Sequence, residues 1–142
     1  MGFLAKYMGT HSNGGTTYKK FTLLSSDVTA DATIADFVVE TGTDYIRYDS
    51  GIQICWLNTT TNMALDTAYA SLYIGNYSWT YPKAFTSVPT VTVGMMKWGT
   101  GASWGTLAGL PSTTSATLRG IDAVSRASGN TYIQAMAIGR WK

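Results

Sequence analysis

The sequence predicts an all-β, antiparallel sandwich, and three observations carry the prediction. Threonine fills roughly one position in six, a share that favours strands and turns over helices. Short runs of strand length alternate or stay apolar, and Gly, Ser or Asn turns bound them. No heptad repeat and no strand–helix alternation interrupts the runs. A chain of 142 residues is one domain, or one domain with a short extension, and it can bury a core without disulfide staples. Residues 1–43 read as an N-terminal extension or small preceding domain, and residues 44–142 as the sandwich.

Patterning in residues 1–43 is weak. His11-Ser12-Asn13-Gly14-Gly15 has turn composition, and residues 16–24 suit a strand. Asp27, Asp31 and Asp36 are spaced through a small, polar stretch. Their spacing fits no EF-hand loop and no Glu closes it, so a surface loop or short helix is expected. Residues 34–40 return to strand composition.

The β pattern sharpens from Asp44. Tyr45-Ile46-Arg47-Tyr48 runs through Asp49-Ser50-Gly51 into Ile52-Gln53-Ile54-Cys55-Trp56-Leu57, which reads as a hairpin. Ile52, Ile54 and Trp56 share a face expected in the core, and Asn58-Thr59-Thr60-Thr61-Asn62 reads as a polar loop. Residues 66–75 leave helix and strand open. Asn76-Tyr77-Ser78-Trp79-Thr80-Tyr81 alternates aromatic and small polar residues, as a half-exposed strand that Pro82 ends. Residues 90–98 form a strong strand with Val91, Val93 and Met95 on one face. A glycine-rich loop spans residues 99–105, and residues 107–111 connect onward. In the strand at 114–124, Ala116, Leu118 and Gly120 alternate with Thr117, Arg119 and Ile121. Residues 125–130 read as a turn. The final strand places Tyr132, Gln134, Met136 and Ile138 on one side and Ile133, Ala135 and Ala137 on the other. Being apolar on both sides, it is expected at the centre of a sheet or at a seam between copies, and its docking is expected to close the fold.

Charged residues make up 13% of the chain, against about 25% in ordinary soluble domains. Net charge is +2 and Lys19-Lys20 is the single adjacent basic pair. With no basic stripe to neutralise phosphates, nucleic acid is not an expected partner. No run approaches the roughly 18 apolar residues of a membrane helix, so no membrane insertion is expected, and Met1-Gly2-Phe3-Leu4-Ala5-Lys6-Tyr7-Met8 lacks a secretory apolar stretch. The one cysteine, Cys55, reads as a small buried hydrophobe in a chain that folds in a reducing cytoplasm.

The groups that catalysis needs are sparse. His11 is the one histidine, no cysteine–histidine set suits zinc, and no Lys-Ser/Thr closes residues 99–105 as a phosphate loop. Asp44, Asp49, Asp66 and Asp122 occur singly, and nothing singles out a facing carboxylate pair. No enzyme activity, cofactor or metal is therefore expected. What remains is aromatic: Tyr77, Trp79, Tyr81, Trp98 and Trp104 lie on expected strand ends and loops. Their apolar faces and polar tips suit either sugar stacking or packing in the core or between copies. Trp56 and Trp141 read as packing residues. Arg119, Asp122 and Arg126 can offer charged hydrogen bonds to a glycan, or serve as a solvated edge or an intersubunit salt bridge.

Four segments together carry a resemblance. They are Tyr45-Ile46-Arg47-Tyr48-Asp49-Ser50-Gly51-Ile52-Gln53-Ile54-Cys55-Trp56; Trp79-Thr80-Tyr81-Pro82-Lys83-Ala84-Phe85 with Val88-Pro89; Trp98-Gly99-Thr100-Gly101-Ala102-Ser103-Trp104-Gly105; and Ala135-Met136-Ala137-Ile138-Gly139-Arg140-Trp141-Lys142. In order and spacing, residues 44–142, about 70% of the chain, resemble the C-terminal domain of bacteriophage tail fibres and tail spikes, also found on related bacteriocin fibres. Leu57 stands where that family's hairpin usually has Gly. The resemblance implies an H-type-lectin-like sandwich that forms a homotrimer at a fibre tip and recognises a bacterial surface polysaccharide. It implies a virion component assembled in the host cytoplasm and joined to an upstream tail fibre shaft, whose end residues 1–43 could supply. It carries over no catalytic residue. Loops around residues 77–81 and 98–104 are the expected glycan contacts. Two alternatives stand beside it: a trimerisation and folding cap without a ligand, and the C-terminal part of a capsule-degrading spike.

Overall fold

The computed structural model describes residues 5–13, 16–23 and 38–142. The chain divides into two units, Met1–Ala35 and Asp36–Lys142. In the first, β1 (Ala5–Asn13) and β2 (Thr16–Leu23) form an antiparallel hairpin, with Asn13 opposite Thr16 and a register shift between Tyr7 and Thr10. His11, Ser12 and Asn13, turn-like by composition, are strand, because the Thr16-Thr17-Tyr18 run opposite them supplies a ladder. Asp27, Asp31 and Asp36 lie outside the described residues.

The second unit is an antiparallel sandwich of two sheets. The larger sheet runs in the order β3 (Val38–Gly42), β4 (Tyr45–Tyr48), β5 (Ile52–Leu65), β11 (Arg126–Arg140), β8 (Thr90–Trp98). The smaller runs β6 (Thr67–Tyr69), β7 (Leu72–Thr80), β10 (Ser115–Asp122), β9 (Trp104–Leu107). The division expected after residue 43 falls instead between Ala35 and Asp36, because β3 is an edge strand of the larger sheet. The turn joining β3 to β4 is tight, and Asp44 takes a left-handed φ of 64° in it, a conformation Asp tolerates better than most residues.

Residues 58–62, expected as a loop, continue β5. Their threonines favour extended backbone, and β11 pairs with each of them, from Asn58 opposite Gln134 to Asn62 opposite Asn130. Residues 66–75 resolve into β6 and β7, with Ala70 in the left-handed region at the turn. The hairpin at Asp49-Ser50-Gly51 forms as expected, closed by the Gly51 amide donating to the Tyr48 carbonyl at 3.0 Å.

Two faces are assigned differently from the sequence reading. In β5, Gln53 and Cys55 point inward, while Ile54 and Trp56 point out. Burying Gln53 costs little because its amide is paired: its Oε1 accepts from Arg47 Nε at 2.7 Å and its Nε2 donates to the Lys83 carbonyl at 2.8 Å. In β8, the register slips at Gly94 between the Met95–Gln134 and Val93–Ala135 pairs. The bulge turns Met96 into the core in place of Met95.

Between the sheets lie Cys55, Leu65, Trp79, Met96, Leu118 and Ile133. A row of glycines lets the sheets close: Gly75, Gly120 and Gly105 sit side by side across β7, β10 and β9. A Cβ on Gly120 would fall 2.8 Å from Leu65 Cδ2, one on Gly105 2.5 Å from Val93 Cγ1, and one on Gly75 would strike the Ala64 carbonyl. The C-terminal residues bind back to the hairpin of β4 and β5. Trp141 Nε1 donates to the Tyr48 carbonyl at 2.9 Å, and Arg47 lies 4.9 Å above the Trp141 ring. Beside them, Glu40 accepts from the Tyr45 hydroxyl at 2.7 Å and from Arg47 at 2.8 Å, and pairs with Lys83 at 3.1 Å.

Candidate functional site

The glycine row fixes which side of the smaller sheet faces in. Its neighbours in sequence must therefore face out, since side chains alternate along a strand. On one side of the row Trp104 lies opposite Ile121, Ile121 opposite Ile74, and Ile74 opposite Thr67. On the other side Thr106, Arg119 and Asn76 stand in line. Arg119 Nε donates to Asn76 Oδ1 at 3.2 Å, and its guanidinium carbon is 5.7 Å from the centre of the Tyr69 ring. Trp104 is 46% exposed and Tyr69 58% exposed, whereas Ile74 beneath the longer side chains is buried. The outcome is an outward patch with an aromatic ring at each end and a positioned guanidinium. Aromatic faces can stack on the apolar face of a sugar ring, and the guanidinium and amide can bind its polar substituents.

The sequence-predicted residues thus separate into three groups. Trp104 and Arg119 share this patch. Trp79 and Tyr81 are core residues and Tyr77 packs against the core. Trp79, Tyr81 and Phe85 form consecutive edge-to-face contacts at 5.0 and 5.2 Å. Burial pushes the Tyr81 phenol up to about 12, and its hydroxyl has no hydrogen-bond partner among the described residues. The alternation at residues 77–81 is real, but its aromatic side is the inner one. These three side chains therefore do not join the outward patch.

Trp98, Asp122 and Arg126 form the third group. Asp122 is 2% exposed, with its carboxylate accepting from Arg126 Nε at 2.9 Å and from the Val124 amide at 2.9 Å. Burial alone would push this carboxyl up. The Arg126 bond, the Val124 and Ala123 amides and the Arg126 charge outweigh it and hold the group below its ordinary range. Arg126 lies 5.2 Å above the Trp98 ring, whose Nε1 donates to the Ala127 carbonyl at 2.9 Å. A Cβ on Gly129 would fall 2.8 Å from that ring. The Asp122 carboxylate is committed to Arg126 and the Val124 amide and the Trp98 indole to Ala127, so the cluster braces the start of β11.

Tyr69 and Asn76 escape the sequence reading. Tyr69 sits in a stretch whose periodicity fits helix and strand alike, and Asn76 gains meaning only once β10 is known to lie beside β7.

The outward side of the larger sheet has a different character. Ile46, Ile54 and Ile138 lie in one row, and Trp56 lies opposite Met136 in another. Trp56 is 38% and Met136 45% exposed. The next pair is polar, with Gln134 Nε2 donating to Asn58 Oδ1 at 3.5 Å. The terminal strand is thus central to its sheet, with one face in the core and an apolar face outward. Cys55, by contrast, is fully buried, and burial raises its thiol above the ordinary value. Among the described residues, no group of His, Cys, Asp and Glu is arranged to hold a metal ion. The His11 side chain lies outside them.

Fold and surface define an antiparallel β-sandwich domain with two chemically distinct outward faces. Its fold is similar to part of a solved P. aeruginosa R1 pyocin fibre, a fragment comprising C-terminal residues 323–701. The TM-score is 0.51 at 20% sequence identity, covering 67% of this chain and 25% of the fibre fragment. No protein-family model and no curated protein matches the chain.

Proposed function

We propose that the chain is the receptor-binding domain of a bacteriophage tail fibre or spike, or of a related bacteriocin fibre, carried on a fibre shaft as a homotrimer. Its ligand is a carbohydrate of the bacterial surface, held in lectin-like fashion on the outward side of the smaller sheet. It acts by binding, without catalysis. The observation that supports this most is the patch of Trp104, Arg119, Asn76 and Tyr69, where exposed aromatic rings flank positioned polar groups. The fold shared with a pyocin fibre fragment supports the fibre setting. Weak single-site sugar binding gains from several copies on one tip through effective concentration.

A second reading, a trimerisation cap without a ligand, is favoured by the apolar outward face around Trp56, Met136 and Ile138. The two readings agree that copies associate and differ on the ligand. Light scattering followed by a bacterial glycan array separates them. The expected result is an oligomer that binds one sugar class, with binding lost in Trp104→Ala at unchanged mass and melting temperature. A folded oligomer that binds no bacterial glycan selects the cap, and a monomer removes both readings.

A further inference from the structure

We infer that the outward patch of the smaller sheet takes an acidic sugar, with the Arg119 guanidinium holding its oxyanion. This rests on the receptor-binding reading above and gives that reading its ligand class. The inference comes from how the basic side chains are spent. Arg47 and Lys83 both pair with the single carboxylate of Glu40, Arg126 pairs with Asp122, and Lys142 with Asp49. Arg119 makes no ion pair among the described residues. Its two partners, the Asn76 amide oxygen and the Tyr69 ring, are both neutral. They position the guanidinium while leaving its charge uncompensated and its Nη groups without a hydrogen bond among the described residues. Lys97 and Arg140 also lack ion pairs there, but neither side chain is held by a hydrogen bond within the described residues.

A guanidinium presents forked donors that match a carboxylate or phosphate two bonds at a time. Holding it in place beforehand lowers the ordering cost of binding. The rows around it carry no competing carboxylate: Thr106 and Asn76 flank it in its own row, Trp104, Ile121, Ile74 and Thr67 lie on one side, and Thr117 and Ser78 on the other. Asp122, on the same strand, points inward and is committed to Arg126. Trp104 and Tyr69 stand on strands three spacings apart, about 14 Å across the sheet. The patch therefore spans more than one sugar ring, with the anionic one beside Arg119 and Tyr69.

The test is biolayer interferometry of the full chain on immobilised polygalacturonate, phosphomannan and neutral dextran. Arg119→Gln, Arg119→Lys and Lys142→Gln are compared with the unchanged chain, after melting temperatures establish that all are folded. At least tenfold preference for one acidic polymer over dextran is expected, lost at least tenfold in Arg119→Gln and partly recovered in Arg119→Lys. Lys142→Gln, which removes the same charge elsewhere, should bind as the unchanged chain does. Preference for polygalacturonate assigns the oxyanion as carboxylate, and preference for phosphomannan assigns it as phosphate. Binding to a neutral glycan that Arg119→Gln leaves intact would overturn the acidic-sugar inference while keeping the receptor-binding reading. Equal losses in Arg119→Gln and Lys142→Gln would overturn it as a net-charge effect. No binding here or on a bacterial glycan array would overturn both.

Discussion

The two sheets turn their inner sides to one core, yet their outward sides differ in kind. On the larger sheet, apolar stands beside apolar across strands: Ile46 with Ile54 and Ile138, Trp56 with Met136. On the smaller, Arg119 stands between Thr106 and Asn76, with aromatic rings at the margins. Water wets the first face at a cost, and a second apolar surface removes that cost. The second face offers hydrogen bonds and a charge without an ion pair among the described residues, which suit a polar ligand. The contrast teaches that exposure of a tryptophan does not by itself say what will cover it. Trp56 and Trp104 are similarly exposed, and their neighbours distinguish them.

The largest effect should come from breaking the apolar face. Trp56→Glu places a charge at its centre and should weaken self-association by about 2–4 kcal/mol, roughly 30- to 1,000-fold. Light scattering over a dilution series reads this, with circular dichroism showing an intact fold. Next comes the boundary the two faces share. Gly120→Val should cost about 1–3 kcal/mol by pushing the sheets apart at Leu65. Thermal unfolding reads it as a fall in melting temperature of about 4 °C per kcal/mol for a chain of this size. The smallest effect lies at the sheet edge. Glu40 is held down to about 2, first by the Tyr45 hydroxyl bond, then by Arg47 and Lys83 working against burial. Its ionised form is therefore the stabilising one. That contribution is whole above the ordinary value near 4.5 and is lost as pH falls toward 2. Glu40→Gln should flatten the stability curve in that window and leave it unchanged in shape above. The effect is modest because Glu40 is partly exposed.

The strands were largely legible, because β-branched and aromatic runs between Gly, Ser and Asn turns have little other use. The faces were less so. Period-two alternation finds the inside when one side is polar, but β5 and β11 are apolar on both sides. Ile54 and Trp56 therefore read as core in the sequence, whereas the Arg47 and Lys83 partners that let Gln53 turn inward exist only in the folded chain. The Gly94 bulge exchanged Met95 for Met96 with no local mark beyond a glycine. Of the candidate site, Trp104 and Arg119 could be named from residue type. Their proximity to Tyr69 and Asn76 depends on the order β6-β7-β10-β9, which is a matter of tertiary pairing. The aromatics at residues 77–81 carried the same residue-type signal and belong to the core.

The contrast between the faces is tested most directly by hydroxyl-radical footprinting of the tryptophans in the assembled chain. The account predicts that Trp56 is protected by assembly, while Trp104 stays reactive until a bacterial glycan is added. A reactive Trp56 together with a Trp104 already protected without glycan would contradict it, placing the copies on the smaller sheet and leaving the proposed ligand no surface to bind.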